Sequence, residues 1–165
     1  MKTLLIMRHA KSSWKDQELP DHDRPLKKKG RKDIVNMAKI LRKNALIPDL
    51  ILSSGAVRAK DTATLMAEKL NYKEEIELSD DLYMAEPEKY IQKIATLPDS
   101  VETLLVVGHN PGLEGLVMRL GDKIVSLPTG SIAKIYLFID HWNELTSETD
   151  GEINQVWIPE DYRKK

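Results

Sequence analysis

Two arginines and two histidines follow apolar segments of this sequence, in positions that suit chemistry on a phosphoryl group. Arg8 and His9 come directly after TLLIM, Arg58 follows LILSS, and His109 follows TLLVVG. Paired guanidinium groups can hold phosphoryl oxygens bidentately and neutralise their charge. A neutral imidazole is a good nucleophile near pH 7, and a second, protonated histidine can donate to oxygens that gain charge. The pattern predicts a phosphoryl-transfer site that needs no metal, with His9 as the nucleophile.

Each of these residues, taken alone, also has an ordinary structural interpretation. Arg8 could close a strand end in a surface salt bridge, and Arg58 could be a surface residue of a helix. His109 could form hydrogen bonds within the GHNP turn. His9 could bind a metal, but no suitably spaced carboxylate partner is obvious, and the sequence contains no cysteine. The functional prediction therefore depends on the four residues together.

Apolar strands and amphipathic helices alternate along the chain. Strands are predicted at residues 3–7, 50–52, 76–78 and 103–107, with two antiparallel strands at 132–139 and 153–158. Helices are predicted at residues 26–43, 56–70, 87–97 and 113–120. This alternation indicates an α/β protein, a three-layer α/β/α sandwich with a mostly parallel central sheet. Ligands of such sheets bind beyond the carboxyl ends of the strands, where the four residues are expected to meet.

Composition limits the class of protein. The 165 residues fit one domain, and 41% hydrophobic with 31% charged residues indicate a real core and a solvated surface. The net charge of −1 gives no overall field for nucleic acid or anionic membranes. The opening MKTLLIM is too short for a secretory signal, and no apolar run is long enough to span a membrane. With no cysteine, these features predict a cytoplasmic protein.

Two further groups of charged or titratable residues have simple interpretations. The lysines at residues 27–29 lie at a predicted helix start, where a solvated face is favoured over a binding patch. His22 and His141 lie in polar segments and are expected to be surface residues.

The segments MRHAKSS, LSSGAVRAKDT and VVGHNPG resemble the motifs of the histidine phosphatase superfamily, which has the phosphoglycerate mutase-like fold. That family has an Arg-His pair after its first strand, a later arginine in an S-x-x-x-R-A-x-x-T context, and a second histidine after a late strand. All three occur here in order. Within the superfamily, RHAKSSW, DHDRPLKKKGR and VVGHNPGLE are most similar to the small SixA-type phosphohistidine phosphatases. The resemblance covers the whole chain and implies one histidine phosphatase domain over residues 1–165.

The resemblance also implies roles for individual residues. It implies a phosphohistidine intermediate on His9, whose other ring nitrogen is expected to donate to a backbone carbonyl. It implies a site that binds phosphate or sulfate without a cofactor or a metal. The implied phosphate ligands are Arg8, Arg58 and His109, joined by Arg24 of the R-P-L element, with Asn110 and Ser131 of the PTGS turn as further pocket residues.

The chain departs from the wider superfamily at two points. Ala10 replaces the common glycine after the nucleophile, which is tolerated unless that position needs a positive φ. No clear general acid is present. Glu86 is the best candidate, with Glu88 behind it, although carboxylates at a helix start are also favoured by the helix dipole alone.

The lack of a clear acid favours a particular substrate. An alkoxide leaving group needs a proton donor, whereas a phosphohistidine ring can carry a proton on its other nitrogen and leave as neutral imidazole. The expected partner is therefore a phosphohistidine-bearing protein, such as a phosphotransfer domain or a phosphocarrier. Two alternatives stay open: a phosphatase of small phosphate esters on the same fold, and a non-catalytic phosphate-binding module.

Overall fold

A six-stranded, mostly parallel sheet forms the centre of the protein in the computed structural model, which describes residues 1–164. Its strands are β1 (Lys2–Arg8), β2 (Leu50–Ser54), β3 (Glu77–Ser79), β4 (Thr103–Gly108), β5 (Ile132–Leu137) and β6 (Gly151–Trp157). Their order across the sheet is β3-β2-β4-β1-β5-β6. The first four are parallel, while β5 and β6 are antiparallel to their neighbours. The predicted α/β class and the antiparallel C-terminal pair are confirmed.

Four helices connect the strands. They are α1 (Lys28–Lys43), α2 (Val57–Leu70), α3 (Pro87–Ile94) and α4 (Gly112–Gly121). Each of the predicted helices and strands is present, with bounds that differ by up to three residues. The segment predicted as a loop after His9 contains a short 3₁₀ helix, Asp21–Asp23. None of the helices within residues 1–164 has the length and apolar character needed to cross a membrane.

Both faces of the sheet are buried, because side chains alternate between two cores. In β1, Leu4 and Ile6 pack in the core that includes α3 and α4. The intervening Leu5 and Met7 pack in the other core, against α1 and α2. All four are fully buried, as expected for a parallel strand with helices on both sides. The two cores confirm the predicted three-layer sandwich, and they hold the carboxyl ends of β1, β2 and β4 in fixed positions.

Candidate active site

The carboxyl ends of β1 and β4 lie side by side, and a histidine follows each strand directly. Arg8 pairs with Gly108 in the parallel register, so His9 and His109 are the next residues on neighbouring strands. Neighbouring strands are about 4.8 Å apart, and the two imidazole centroids are 5.2 Å apart. The strand register therefore brings the two histidines together from 100 residues apart in the sequence.

His9 is buried and neutral, and its hydrogen bonds fix which nitrogen is free. Its Nδ1 lies 2.8 Å from the carbonyl oxygen of Ala10, so Nδ1 carries the proton and donates it there. Desolvation, together with the nearby cations Arg58 and Arg8, lowers the pKa of His9 to about 4 despite the Ala10 bond, which raises it. Nε2 is thus unprotonated near pH 7. The expected bond from the other ring nitrogen to a backbone carbonyl is present.

Ala10 fits the turn after the nucleophile. Its backbone N–H donates to Thr62 Oγ1 at 3.0 Å, and Thr62 Oγ1 in turn donates to the carbonyl oxygen of Arg58 at 2.7 Å. Among residues 1–164, the non-glycine positions with positive φ do not include Ala10. The alanine therefore introduces no backbone strain at the site.

Arg58 lies in the first turn of α2 and points at the nucleophile. Its Nε donates to His9 Nε2 at 3.4 Å. Its two terminal nitrogens donate to Asp21, at 2.7 Å to the carbonyl oxygen and 3.0 Å to Oδ2. The guanidinium is 4% exposed and is held against His9 by the 3₁₀ helix that carries Asp21.

Arg24 is buried on the opposite side of Asp21. Its Nη1 donates to Asp21 Oδ1 at 2.9 Å, its Nε donates to the Ser13 carbonyl oxygen at 3.2 Å, and its Nη2 donates to Ser12 Oγ. The exposed ring of Trp14 covers the guanidinium, with the Arg24 Cζ atom 3.2 Å from the ring centroid. The R-P-L arginine therefore reaches the site, although it comes from a loop.

Arg8 ends β1 and is only partly bonded. Its Nη1 donates to the carbonyl oxygen of Leu127 at 3.1 Å, whereas its buried Nε has no partner within the described chain. Burial lowers the pKa of Arg8, with Arg58 adding to the effect and Glu114 opposing it. A guanidinium N–H without a partner beside the cavity is suited to receive an anion.

His109 differs from the sequence expectation in its charge. Desolvation, His9 and Arg58 lower its pKa to about 3, so the ring is neutral near pH 7 in the anion-free site and not protonated as predicted. Its Nε2 lies 2.8 Å from Ser54 Oγ, and its Nδ1 is buried without a partner within residues 1–164. His109 is neutral because it lies where the sequence predicted, buried beside arginines, and burial beside cations disfavours a further positive charge.

These side chains surround a cavity of about 440 Å³ that opens to solvent. Its lining includes the predicted residues Arg8, His9, Arg24, Arg58, His109 and Asn110, together with Asp21, Trp14, Met84, Lys11 and Lys27. The structure therefore brings six of the predicted residues together around an anion-sized space. Within residues 1–164, no three His, Cys, Asp or Glu side chains are grouped so that they could hold a metal ion.

The structure does not place two other predicted residues in the cavity. Ser131 is fully buried behind Arg8, where its carbonyl oxygen accepts the Arg8 backbone N–H at 3.1 Å, and its side chain does not line the cavity. Glu86 is an exposed residue at the start of α3 and is also outside the lining, while Glu88 pairs with Arg119 on the surface. The carboxylates proposed as acids therefore lie at a helix start, where the positive end of the helix dipole favours a negative charge.

Sequence reasoning missed three residues that shape the site. Asp21 lies between the two arginines, Tyr83 donates its hydroxyl to Asp21 Oδ2, and Ser54 contacts His109. Asp21 begins a three-residue 3₁₀ helix and Tyr83 directly follows another, and segments this short have no periodicity that would predict their contacts. Ser54 is the serine of the S-x-x-x-R-A-x-x-T pattern, but that pattern alone assigns it no contact with His109.

Comparisons with known proteins agree with this geometry. The sequence profile of the histidine phosphatase superfamily (branch 1) matches residues 4–84. An uncharacterized chloroplastic protein of Arabidopsis thaliana is 34% identical over 154 residues, covering 87% of this chain and 70% of that protein. An uncharacterized protein of Mycobacterium tuberculosis is 35% identical over 152 residues, covering 84% of this chain and 91% of the relative.

Solved structures show the same fold. The protein histidine phosphatase SixA complexed with tungstate superimposes with a TM-score of 0.79 at 23% identity, covering 98% of this chain and 99% of that one. The mycobacterial glucosyl-3-phosphoglycerate phosphatase superimposes with a TM-score of 0.67 at 15% identity, covering 95% and 98%. The fold, the paired histidines with their arginines, and the matching relatives lead to one assignment: the chain belongs to the histidine phosphatase superfamily and is a phosphatase of SixA-like architecture.

Proposed function

We propose that this protein is a phosphohistidine phosphatase that removes the phosphoryl group from a histidine-phosphorylated protein through a phospho-His9 intermediate, without a metal. The observation that carries the proposal is the neutral His9 ring, whose Nε2 faces Arg58 while Nδ1 donates to Ala10. His9 Nε2 is therefore the nucleophilic nitrogen, and it borders the space where the arginines would hold phosphate.

In the first step His9 Nε2 forms a bond to phosphorus while the nitrogen–phosphorus bond of the substrate breaks. The electron pair of that bond goes to the substrate ring, which leaves as neutral imidazole if its other nitrogen carries a proton. Arg8, Arg24 and Arg58 would neutralise the charge on the equatorial oxygens. No carboxylic acid is needed in this step, which agrees with the position of Glu86 outside the cavity lining.

In the second step water attacks the phosphorus of phospho-His9, and inorganic phosphate takes up the proton that the water loses. His9 is itself the leaving group here, and the same reasoning applies to it. Its Nδ1 keeps a proton in the bond to the Ala10 carbonyl oxygen, so Nε2 departs as part of a neutral imidazole. The hydrogen bond that fixes the tautomer of His9 therefore supports both steps.

The surroundings of the cavity support a protein substrate. Trp14 stands at the mouth with 65% of its surface exposed. A second cleft adjoins the mouth at Trp14 and Lys27, and the described residues that line it include Lys15, Lys28 and Lys29 but no carboxylate. An exposed aromatic ring beside several lysines suits contact with an acidic protein surface that carries the phosphohistidine.

A second candidate is a phosphatase of small phosphate esters, favoured by the structural likeness to the glucosyl-3-phosphoglycerate phosphatase reported above. Expulsion of a sugar alkoxide needs a proton donor at the leaving oxygen. Among the ionisable carboxylates of the described chain, Asp21 lines the cavity, and its pKa is held far below the usual range by hydrogen bonds from Tyr83, Arg24 and Arg58. An ionised Asp21 cannot supply that proton, so phosphohistidine is the better substrate.

The test compares initial rates on a phosphohistidine phosphocarrier protein with rates on glycerol phosphate and p-nitrophenyl phosphate, with and without a chelator. We expect the phosphohistidine protein to be hydrolysed at least about 100-fold faster than glycerol phosphate, with no effect of the chelator. Rapid quenching in base should trap a phosphohistidine enzyme that is absent in His9→Ala. Faster hydrolysis of the alkyl ester would favour the second candidate, and binding without turnover would indicate a non-catalytic module.

A further inference from the structure

Ser54 ends β2 and contacts the second histidine from behind the cavity. It is fully buried and does not itself line the cavity. Its Oγ lies 2.8 Å from His109 Nε2 and accepts the backbone N–H of Ala56 at 3.2 Å. Ser54 therefore makes two hydrogen bonds, and the bond from Ala56 decides the direction of the bond with His109.

A serine hydroxyl has one proton to donate and two lone pairs to accept with. The Ala56 N–H uses one lone pair, so the hydroxyl proton still needs an acceptor in a fully buried place. Within residues 1–164, His109 Nε2 is the group in hydrogen-bonding distance that can accept it. The reverse arrangement, with Nε2–H donating to Oγ, leaves the Ser54 hydroxyl proton unsatisfied. It also leaves the Nδ1 lone pair without a partner within residues 1–164, whereas the first arrangement leaves a single unpaired group, the Nδ1–H, which a bound anion can satisfy.

If Nε2 of His109 accepts, the neutral ring must carry its proton on Nδ1. Nδ1 is buried and has no partner in the described chain, and His109 lines the cavity. The planes of the His109 and His9 rings make an angle of 52°, with 5.2 Å between the two centroids. An N–H group without a partner in the described chain therefore belongs to a ring that borders both the cavity and the nucleophile.

We propose that Ser54 is a positioning residue that holds neutral His109 in the Nδ1–H tautomer, so that His109 donates a hydrogen bond to the transferring phosphoryl group without first being protonated. This inference rests on the proposed function for the transfer step, but the tautomer itself is a property of the resting protein. In the opposite tautomer the Nδ1 lone pair would face an anionic oxygen and repel it. The neutral donor also avoids adding a further cation to a site that already holds Arg8, Arg24 and Arg58.

The chain offers a matched control. Ser53 is the neighbouring residue on β2, is fully buried, and donates its Oγ proton to the carbonyl oxygen of Ser54 at 2.9 Å. Ser53→Ala therefore removes a buried serine hydroxyl from the same strand without touching His109. Ser54→Thr keeps the hydroxyl at the position that Ser54→Ala removes.

The first measurement is the ¹⁵N spectrum of the histidine rings in the phosphate-free, full-length protein at pH 7. We expect His109 to show a protonated Nδ1 and an unprotonated Nε2 in the wild type and in Ser53→Ala. We expect a mixture of tautomers in Ser54→Ala. A wild-type spectrum with a protonated Nε2 overturns the inference, and this result needs neither substrate nor a folded variant.

The second measurement is turnover of a phosphohistidine protein. We expect Ser54→Ala to lower kcat by about 10- to 100-fold with little change in KM, since one oxyanion donor is misdirected. Ser54→Thr should recover most of the activity, and Ser53→Ala should stay within a few-fold of the wild type. Equal loss in the two alanine variants would make Ser54 merely structural. An inactive wild type with the Nδ1–H tautomer would refute the proposed function and the transfer role while leaving the tautomer established.

Discussion

The carboxylate of Asp21 forms an ion pair with Arg58 inside the candidate active site, with 3.0 Å between Asp21 Oδ2 and Arg58 Nη2. The other carboxylate oxygen lies 2.9 Å from Arg24 Nη1. One internal anion therefore joins two of the three guanidiniums that line the cavity. The Asp21 carboxylate orients the two guanidiniums, and it also offsets part of the positive charge that would attract an incoming phosphoryl group.

We expect Asp21→Asn to tighten binding of inorganic phosphate by about 3- to 10-fold, equivalent to about 0.7–1.4 kcal/mol. The amide keeps an acceptor oxygen for one of the two arginines but removes a negative charge that repels the ligand. Calorimetric titration at low and high salt would measure this change, which should shrink as salt screens it. Asp23→Asn on the same 3₁₀ helix is the control, since Asp23 contacts only His22 there. Weaker binding in Asp21→Asn would mean that orientation of the arginines outweighs the charge.

The four histidines should titrate in two opposite groups. Burial lowers the pKa of His9 to about 4 and of His109 to about 3. Hydrogen bonds that His22 donates to Asp80 and Asp23 raise its pKa, and a bond that His141 donates to Asp99 raises the pKa of His141. At pH 5.5 we therefore expect the buried pair to be neutral and the exposed pair to be charged. Ring proton and ¹⁵N shifts followed from pH 4 to 8 would show this directly.

The buried pair also links stability to pH. Their folded pKa values lie below the unfolded value of about 6.5, so the unfolded chain binds more protons between about pH 4 and 6.5. The contribution of His9 and His109 to the free energy of unfolding is therefore full above pH 6.5 and falls as the pH drops toward 4. Denaturant unfolding of the wild type and of His109→Gln at pH 7 and pH 5 separates this effect. Equal pH dependence in the two proteins would show that His109 does not contribute.

The sequence was sufficient for the sheet and for the residues directly after its strands. Buried strands impose a period and a register, so the positions of His9 and His109 follow from TLLIM and TLLVVG alone. It was not sufficient for Asp21, which lies 37 positions before Arg58 and reaches it through the path of the segment between β1 and α1, where a short 3₁₀ helix has no sequence periodicity. The neutral state of His109 in the anion-free site was not predicted for a related reason: protonation depends on burial and neighbouring cations, which appear only in three dimensions.

Lysines at the start of α1 should assist the binding of protein substrates while lowering the stability of the helix. Lys28 and Lys29 occupy its first turn, where no acidic residue is present. Cations oppose the helix dipole there, so we expect Lys28→Glu/Lys29→Glu to stabilise the protein by about 0.3–1 kcal/mol per site. The same variant should raise KM for an acidic phosphohistidine protein by about 10-fold at low salt.

The opposite signs of these two effects make the lysine experiment selective. Thermal unfolding measures the first, and steady-state kinetics on the phosphoprotein and on p-nitrophenyl phosphate measures the second. The small ester should be unaffected, since neither lysine lines the active-site cavity. Lys73→Glu/Lys123→Glu, at exposed sites away from the cleft lining, gives the same change in net charge. An equal rise in KM in both variants would point to overall charge and not to docking at α1.

Tyr90 positions the backbone of the second histidine. Its hydroxyl accepts the His109 N–H at 3.2 Å and lies 3.3 Å from the Leu82 carbonyl oxygen. An added Cβ at Gly108 would lie 2.2 Å from this hydroxyl, which shows how closely the ring packs against the end of β4. We expect Tyr90→Phe to lower the free energy of unfolding by about 1–2 kcal/mol, because a buried N–H loses its acceptor.

The same substitution should also lower kcat several-fold by loosening His109. Tyr72→Phe is the matched control, since the Tyr72 hydroxyl accepts the Ile51 N–H at 3.2 Å and donates to Glu75 at 2.9 Å, far from the cavity lining. We expect a loss of stability in both variants but a loss of kcat only in Tyr90→Phe. Denaturant unfolding and turnover measured on the same preparations would test this, and an unchanged kcat in Tyr90→Phe would contradict the positioning role.

Glu86 should be dispensable for hydrolysis. It is exposed at the start of α3 and does not line the cavity, so Glu86→Gln should leave kcat on a phosphohistidine protein within about 2-fold of the wild type. The physical reason lies in the leaving groups. A leaving imidazole already carries a proton on its other nitrogen, and p-nitrophenolate can leave without one, whereas an alkoxide must receive a proton. The wild type should therefore hydrolyse p-nitrophenyl phosphate measurably and glycerol phosphate very slowly, and Glu86→Gln should not change that ratio. A loss of more than about 10-fold in kcat, with a shift in its alkaline limb, would show that Glu86 reaches the bound substrate and serves as its acid.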